Sequence, residues 1–188
     1  MEADWAAAVG AGLDVIDADW PGFVDLGGNP EGIGLIAEAA ESVALHEALL
    51  LLNGTGSPVF TCKCDVWALG AEEIDPREFD YAPALARVGV ASYIDLIGRD
   101  AEFFGSFERH EARVRRAVLR MRPLAVSHGR ADLVIRAAAS QGVTGFGITL
   151  YAAGCGVDTP AARVAWESIL RATVTVTMEE AGSFAAGE

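Results

Sequence analysis

From residue 90 to residue 178 the hydrophobic rhythm of the chain switches between a period of two and the period of about 3.6 that marks an α-helix. The order of those switches constrains the fold more than any motif does. VASYIDLI (90–97) reads as a strand. SFERHEARVRRAVLRMRP (106–123) belongs to a helix that Asp100 caps and Pro123 ends. Its apolar stripe is Phe103, Phe107, His110, Val114, Ala117 and Met121, at spacings of three and four. RADLVIRAA (130–138) and TGFGITLYA (144–152) alternate as strands, with Gln141-Gly142 as the turn between them. A further helix opens at Asp158 or Thr159, with Pro160 in its first turn and Ala162, Ala165, Trp166 and Ile169 facing inward. TVTVTM (173–178) alternates as a last strand, or else prolongs that helix. Strand, helix, strand, strand, helix, strand is the order of a ferredoxin-like βαββαβ unit. An α+β fold with a mostly antiparallel sheet is therefore expected, its core in residues 90–178.

The N-terminal part adds helices and one extra strand. PVFTCKCDVWAL (58–69) alternates, which places Phe60, Cys62, Cys64 and Val66 on one face and Thr61, Lys63 and Asp65 on the other. Residues 30–52 read as one helix, opened by Asn29 and Pro30 and stopped by Asn53-Gly54, with Ile36, Ala39, Val43, His46 and Leu50 on one face. IDPREF (74–79) starts a short helix with Asp75 as its cap. The turn-rich WPGFVDLGGNPEG (20–32) sets off residues 1–29 as an N-terminal extension of what is otherwise a single domain of 188 residues. A chain of this length buries roughly 70% of its unfolded surface, so it needs neither a disulfide nor a metal as a staple.

The formal net charge is −13, and it is unevenly placed. Residues 1–86 carry 16 acidic and 2 basic side chains; residues 99–136 carry 5 acidic and 9 basic ones. Lys63 is the one lysine among 14 basic residues. The split suggests that the arginine-rich helix docks on the chain's own acidic N-terminal half. The acidic bulk repels phosphate backbones, which argues against nucleic acid as a partner. No apolar run is long enough for a membrane span, and the N-terminus lacks the positive region of a secretory signal. A cytoplasmic location is expected, with no membrane partner and with Cys62, Cys64 and Cys155 as reduced thiols.

No phosphate-binding glycine loop, GxSxG or HExxH occurs, so no cofactor and no metal is expected and catalytic residues stay unassigned. The weak catalytic candidates are His110, His46 and Cys155. His46 and His110 each fall on an apolar stripe, where two imidazoles across a shared core would serve as acid and base. Packing with one bonded nitrogen is the stronger reading, because the adjacent glutamates point about 100° away and do not orient the same ring. Cys62 and Cys64 read as small buried hydrophobes; Cys155, between glycines at a strand end, reads as the more accessible thiol, without a base beside it in sequence. Asp14, Asp17, Asp19 and Trp20 form an acidic cluster with an aromatic anchor. Its spacing does not fit a calcium loop, but it suits a basic protein partner.

The expected function is thus protein–protein binding without catalysis through the acidic N-terminal surface, as in neutralising or escorting a basic partner. The alternatives are a small-molecule binder or small enzyme that uses His46, His110 or Cys155 in a helix–sheet pocket, and self-association through an open sheet edge or face.

Overall fold

In the computed structural model, the described residues are 12, 15–17, 23–26, 28–79, 85–124 and 128–182, with 15–17 and 181–182 as backbone alone. The elements are β1 (Val15–Asp17), a 3-10 turn (Pro30–Leu35), α1 (Ala37–Glu41), α2 (Val43–Asn53), β2 (Val59–Leu69), a second 3-10 turn (Ala71–Glu73), β3 (Val88–Gly98), α3 (Ala101–Phe104), α4 (Phe107–Met121), β4 (Gly129–Ser140), β5 (Val143–Gly156) and α5 (Thr159–Gly182). The sheet order is β1-β4-β5-β3-β2. Strands β2 to β5 form a four-stranded antiparallel sheet, and β1 pairs in parallel with Ala138–Ser140 of β4. Mixed helix and sheet around this antiparallel core is the α+β class expected.

Gln141 and Gly142 both have positive φ, 50° and 79°, and close a two-residue hairpin in which Ser140 pairs with Val143. Cross-strand partners share a face. Ile94, Leu150 and Leu133 therefore point one way, and Tyr93, Tyr151 and Asp132 the other. All three long helices lie on the first face. Trp166 of α5 is fully buried there, and its Nε1 donates to Ser92 Oγ at 2.8 Å. A Cβ on Gly154 would stand 2.1 Å from the Trp166 nitrogen, so α5 rests directly on the β5 backbone. Leu45, Leu49 and Leu52 of α2 pack beside it, and α4 adds Val114 against Ile135 and Ile148.

Three expectations change. Residues 173–178 continue α5 instead of forming a last strand, so the ferredoxin-like order stops at βαββα. Thr173 and Thr177 donate their hydroxyls to the carbonyls of Ile169 and Thr173, each at 2.8 Å, while Val174 and Val176 bury against the core and against Ala117 and Met121. Strand propensity spans only about 1 kcal/mol and yields to such packing. The single helix expected at 30–52 is broken at Ile36 and Ser42, both in extended conformation. Ser42 starts α2 afresh, its Oγ accepting from the Leu45 nitrogen at 3.2 Å. The restart rotates the inward face: Ala44, Leu45, Ala48, Leu49 and Leu52 are buried, whereas Val43 and Leu50 are exposed. Third, β2 does not alternate regularly. Thr61 pairs with Leu96 while Lys63 pairs with the adjacent Asp95, which makes Cys62 the extra residue of a bulge. Cys62 and Cys64 therefore fall in different clusters, Cys62 with Ile97, Phe104 and Ala138, and Cys64 against the main core. Thr61 faces the helices and bonds Asn53.

Candidate functional site

The bulge has a chemical consequence. Past Cys62 it turns Lys63 and Asp65 onto the face away from the helices, which we call the polar face. Two rows cross it in register. One is Asp65, Tyr93, Tyr151 and Asp132; the next is Lys63, Asp95, Thr149 and Val134. At one end of this face the sheet curls until Cys62 of β2, Ile97 of β3, Ala138 of β4 and Phe104 of α3 join one cluster, and β1 approaches β2, β3 and β5. At the other end Ile74 and Phe79 cover Cys155 and Ala153. Asp75 shapes that cover as a turn instead of the short helix expected, its Oδ1 accepting from the Arg77 nitrogen at 2.9 Å.

Between the ends runs a hydrogen-bonded chain. Asp95 is 7% exposed, and its Oδ1 accepts the Thr149 hydroxyl at 2.6 Å. Thr149 Oγ1 accepts from Arg136 Nε at 2.8 Å, and Arg136 Nη2 donates to the Tyr151 hydroxyl at 2.8 Å. Gly147, the β5 partner of Arg136, leaves room for that side chain to lie along the strand. Burial raises the Asp95 carboxyl above its ordinary range, and the Thr149 bond with the charges of Lys63 and Arg136 pulls it partly back. Alongside stand three rings in contact: Trp67 to Tyr93 at 6.3 Å and Tyr93 to Tyr151 at 6.2 Å between centroids. The Tyr93 hydroxyl is raised by burial and then by the carboxylates of Asp95 and Asp65. Arg130 closes the row, its Nε on Asp132 Oδ2 at 2.7 Å and its Nη1 paired with Glu78.

The residues singled out in the sequence lie elsewhere and apart. His110 is fully buried on α4, with the Phe103 ring centroid at 3.9 Å. Its Nδ1 donates to the Ser106 carbonyl at 2.8 Å, and Nε2 has no hydrogen-bond partner. Burial pushes its pKa down to about 4, so the ring is neutral. Three residues on, Arg113 is 4% exposed with its guanidinium carbon 3.7 Å over the Phe103 ring. His46 sits half-buried on α2, and α5 contacts both α2 and α4 and lies between them, which keeps the two histidines from meeting. Cys155 is fully buried under Ile74 and Phe79, and burial raises its thiol. Asp14, Asp19 and Trp20 lie outside the described residues, as does the side chain of Asp17 at the end of β1. Among the described residues, no three His, Cys, Asp or Glu side chains are placed to hold a metal ion, and no helix is long and apolar enough to cross a membrane.

The arginine-rich helix finds partners other than those expected. Arg116 pairs with Glu180 at 2.7 Å, Arg120 with Glu179 and Glu180, Arg115 with Glu111, and Arg109 with Glu102 and Asp100. These acids belong to α3, α4, the Asp100 cap and the end of α5, not to the N-terminal half. Sequence reasoning passed over Lys63, Asp95, Thr149, Arg136, Tyr93 and Tyr151. The available signal was an aspartate and a tyrosine inside the otherwise apolar VASYIDLI, on a strand whose partner carries the chain's one lysine. Compared with protein-family models, with curated proteins and with solved structures, the chain matches none.

Proposed function

We propose that this chain is a non-enzymatic cytoplasmic protein that binds a basic protein partner through the acidic surface of its N-terminal half, Asp14, Asp17, Asp19 and Trp20 included. The observation that carries this reading is where the arginines go. Arg109, Arg115, Arg116 and Arg120 of α4 pair with Asp100, Glu102, Glu111, Glu179 and Glu180, while Arg113 lies buried over the Phe103 ring. Among the described residues, the ion pairs that reach residues 1–86 are Arg130 with Glu78 and Arg171 with Glu47. Of the acidic side chains of residues 1–86 that the structure describes, Asp25, Glu31, Glu41, Glu47, Asp65, Glu72, Glu73, Asp75 and Glu78 are exposed and Glu38 is half-buried, and charge so placed speeds encounter with a positively charged partner. The separation of His46, His110 and Cys155, each at a different place in the fold, supports binding over catalysis.

The test is capture of the tagged protein from its native lysate at low and high salt, with mass spectrometry. A stoichiometric basic protein that leaves at high salt, and that the triple variant Asp14→Asn, Asp17→Asn, Asp19→Asn retains poorly, supports the reading. Recovery of the chain alone, or only as a multiple of 19.7 kDa, sinks it in favour of self-association.

A further inference from the structure

The row Asp65, Tyr93, Tyr151, Asp132 ends in a carboxylate on each side, and its two halves differ in one respect. The half on β4 and β5 already holds guanidinium groups of the chain itself: Arg130 on Asp132, and Arg136 on the Tyr151 hydroxyl. The half on β2 and β3 offers the same components to solvent. Trp67 is 36% exposed and touches Tyr93, and its row neighbours on β3 and β5 are the small Ala91 and Ala153. Asp65 is exposed, and its Oδ1 accepts from the Val66 nitrogen at 2.7 Å. Burial first, and then the carboxylates of Asp95 and Asp65 among other neighbours, raise the Tyr93 hydroxyl, whereas the charge of Lys63 lowers Asp95, one row away.

We infer that the corner formed by Asp65, Trp67 and Tyr93 receives an arginine side chain of the basic partner, its guanidinium stacked on the rings and bonded to the Asp65 carboxylate. Arginine suits the corner better than lysine, because a planar fork pairs with a carboxylate while its face lies on an aromatic ring. This inference rests on the proposed binding of a basic partner and names the point of contact.

The experiment is calorimetric titration of the full chain with an oligo-arginine peptide, with oligo-lysine and oligo-glutamate peptides of equal length as controls. Oligo-arginine binds more tightly than oligo-lysine, and Trp67→Ala and Asp65→Asn each weaken it about three- to tenfold. Trp67→Phe keeps most of the affinity, since a ring remains. Asp65→Asn retains an oxygen for the Val66 nitrogen, and circular dichroism checks that the fold is intact. Glu72→Gln changes net charge by the same amount away from the corner and leaves the affinity nearly as it was. Equal affinity for the two cationic peptides, or a loss in Glu72→Gln as large as in Asp65→Asn, overturns the inference in favour of diffuse attraction. If the captured basic partner binds Trp67→Ala as it binds the parent chain, the corner is wrong and the proposed function stands. If neither cationic peptide nor basic protein binds the parent chain, both fall.

Discussion

On its helical face the sheet buries Ile94, Leu150 and Ile135 beneath three helices, and its polar groups there are few and paired, as Ser92 is with Trp166. On its polar face the same four strands carry Asp95, Thr149, Arg136 and Tyr151 in one bonded chain, with the rings of Tyr93 and Trp67 continuing from Tyr151. The first face stabilises by removing apolar surface from water, in proportion to area. The second adds little by area; its groups hold one another in place, and losing one member leaves its partners unsatisfied. Helical-face variants should therefore act on stability in proportion to volume removed, and polar-face variants in proportion to the hydrogen bonds orphaned.

The largest effect expected is on the helical face. Trp166→Ala empties the centre of the core and deprives Ser92 of its donor, which costs roughly 3–5 kcal/mol in urea unfolding. A loss below about 1 kcal/mol would mean that α5 does not hold the sheet as described.

Next comes a pH dependence from the same side. His110 is neutral in the fold, with its pKa at about 4 against 6.5 for the free side chain. As pH falls the unfolded chain takes up the proton first. Stability is thus fully present above pH 6.5 and is lost between there and pH 4, by an amount on the order of 3 kcal/mol. His110→Phe should flatten that slope in urea unfolding series run across the window; an unchanged slope would remove His110 as its cause. Asp95 leans the other way. Its carboxyl is raised above 3.8, so protonation there favours the fold, and Asp95→Asn should be at least as stable as the parent chain at neutral pH.

A smaller loss is expected from Thr149→Val, which nearly preserves volume and leaves Arg136 Nε and Asp95 without their shared partner. About 1–3 kcal/mol should be lost, with little change in the core. If the variant is neutral, the chain of bonds is not a unit. The smallest effect belongs to Trp67→Ala, at the exposed end of the polar face, where unfolding should shift by no more than about 0.5 kcal/mol. A residue that matters for a partner and hardly at all for the fold is what the comparison predicts there.

Several elements were legible before any coordinates. Leu133 with Ile135 and Ile148 with Leu150 alternate on strands, the stripe from His110 through Val114 and Ala117 to Met121 is buried on α4, and Gln141-Gly142 makes the hairpin turn. The candidate site was not legible. Asp95, Thr149 and Arg136 come from three strands and meet through register, while the sequence candidates were chosen by what stood beside them in the chain.

Local periodicity and turn chemistry, which act over a few residues, determined the existence and type of most strands and helices. Tertiary structure decided the rest. It made TVTVTM helical, because burial of Val174 and Val176 outweighs a small strand preference. It turned Lys63 toward Asp95, because one extra residue at Cys62 shifts a period-two pattern by a whole face. It also gave Arg116 and Arg120 of α4 to Glu179 and Glu180, because charge pairs by distance in space and not by totals along the chain.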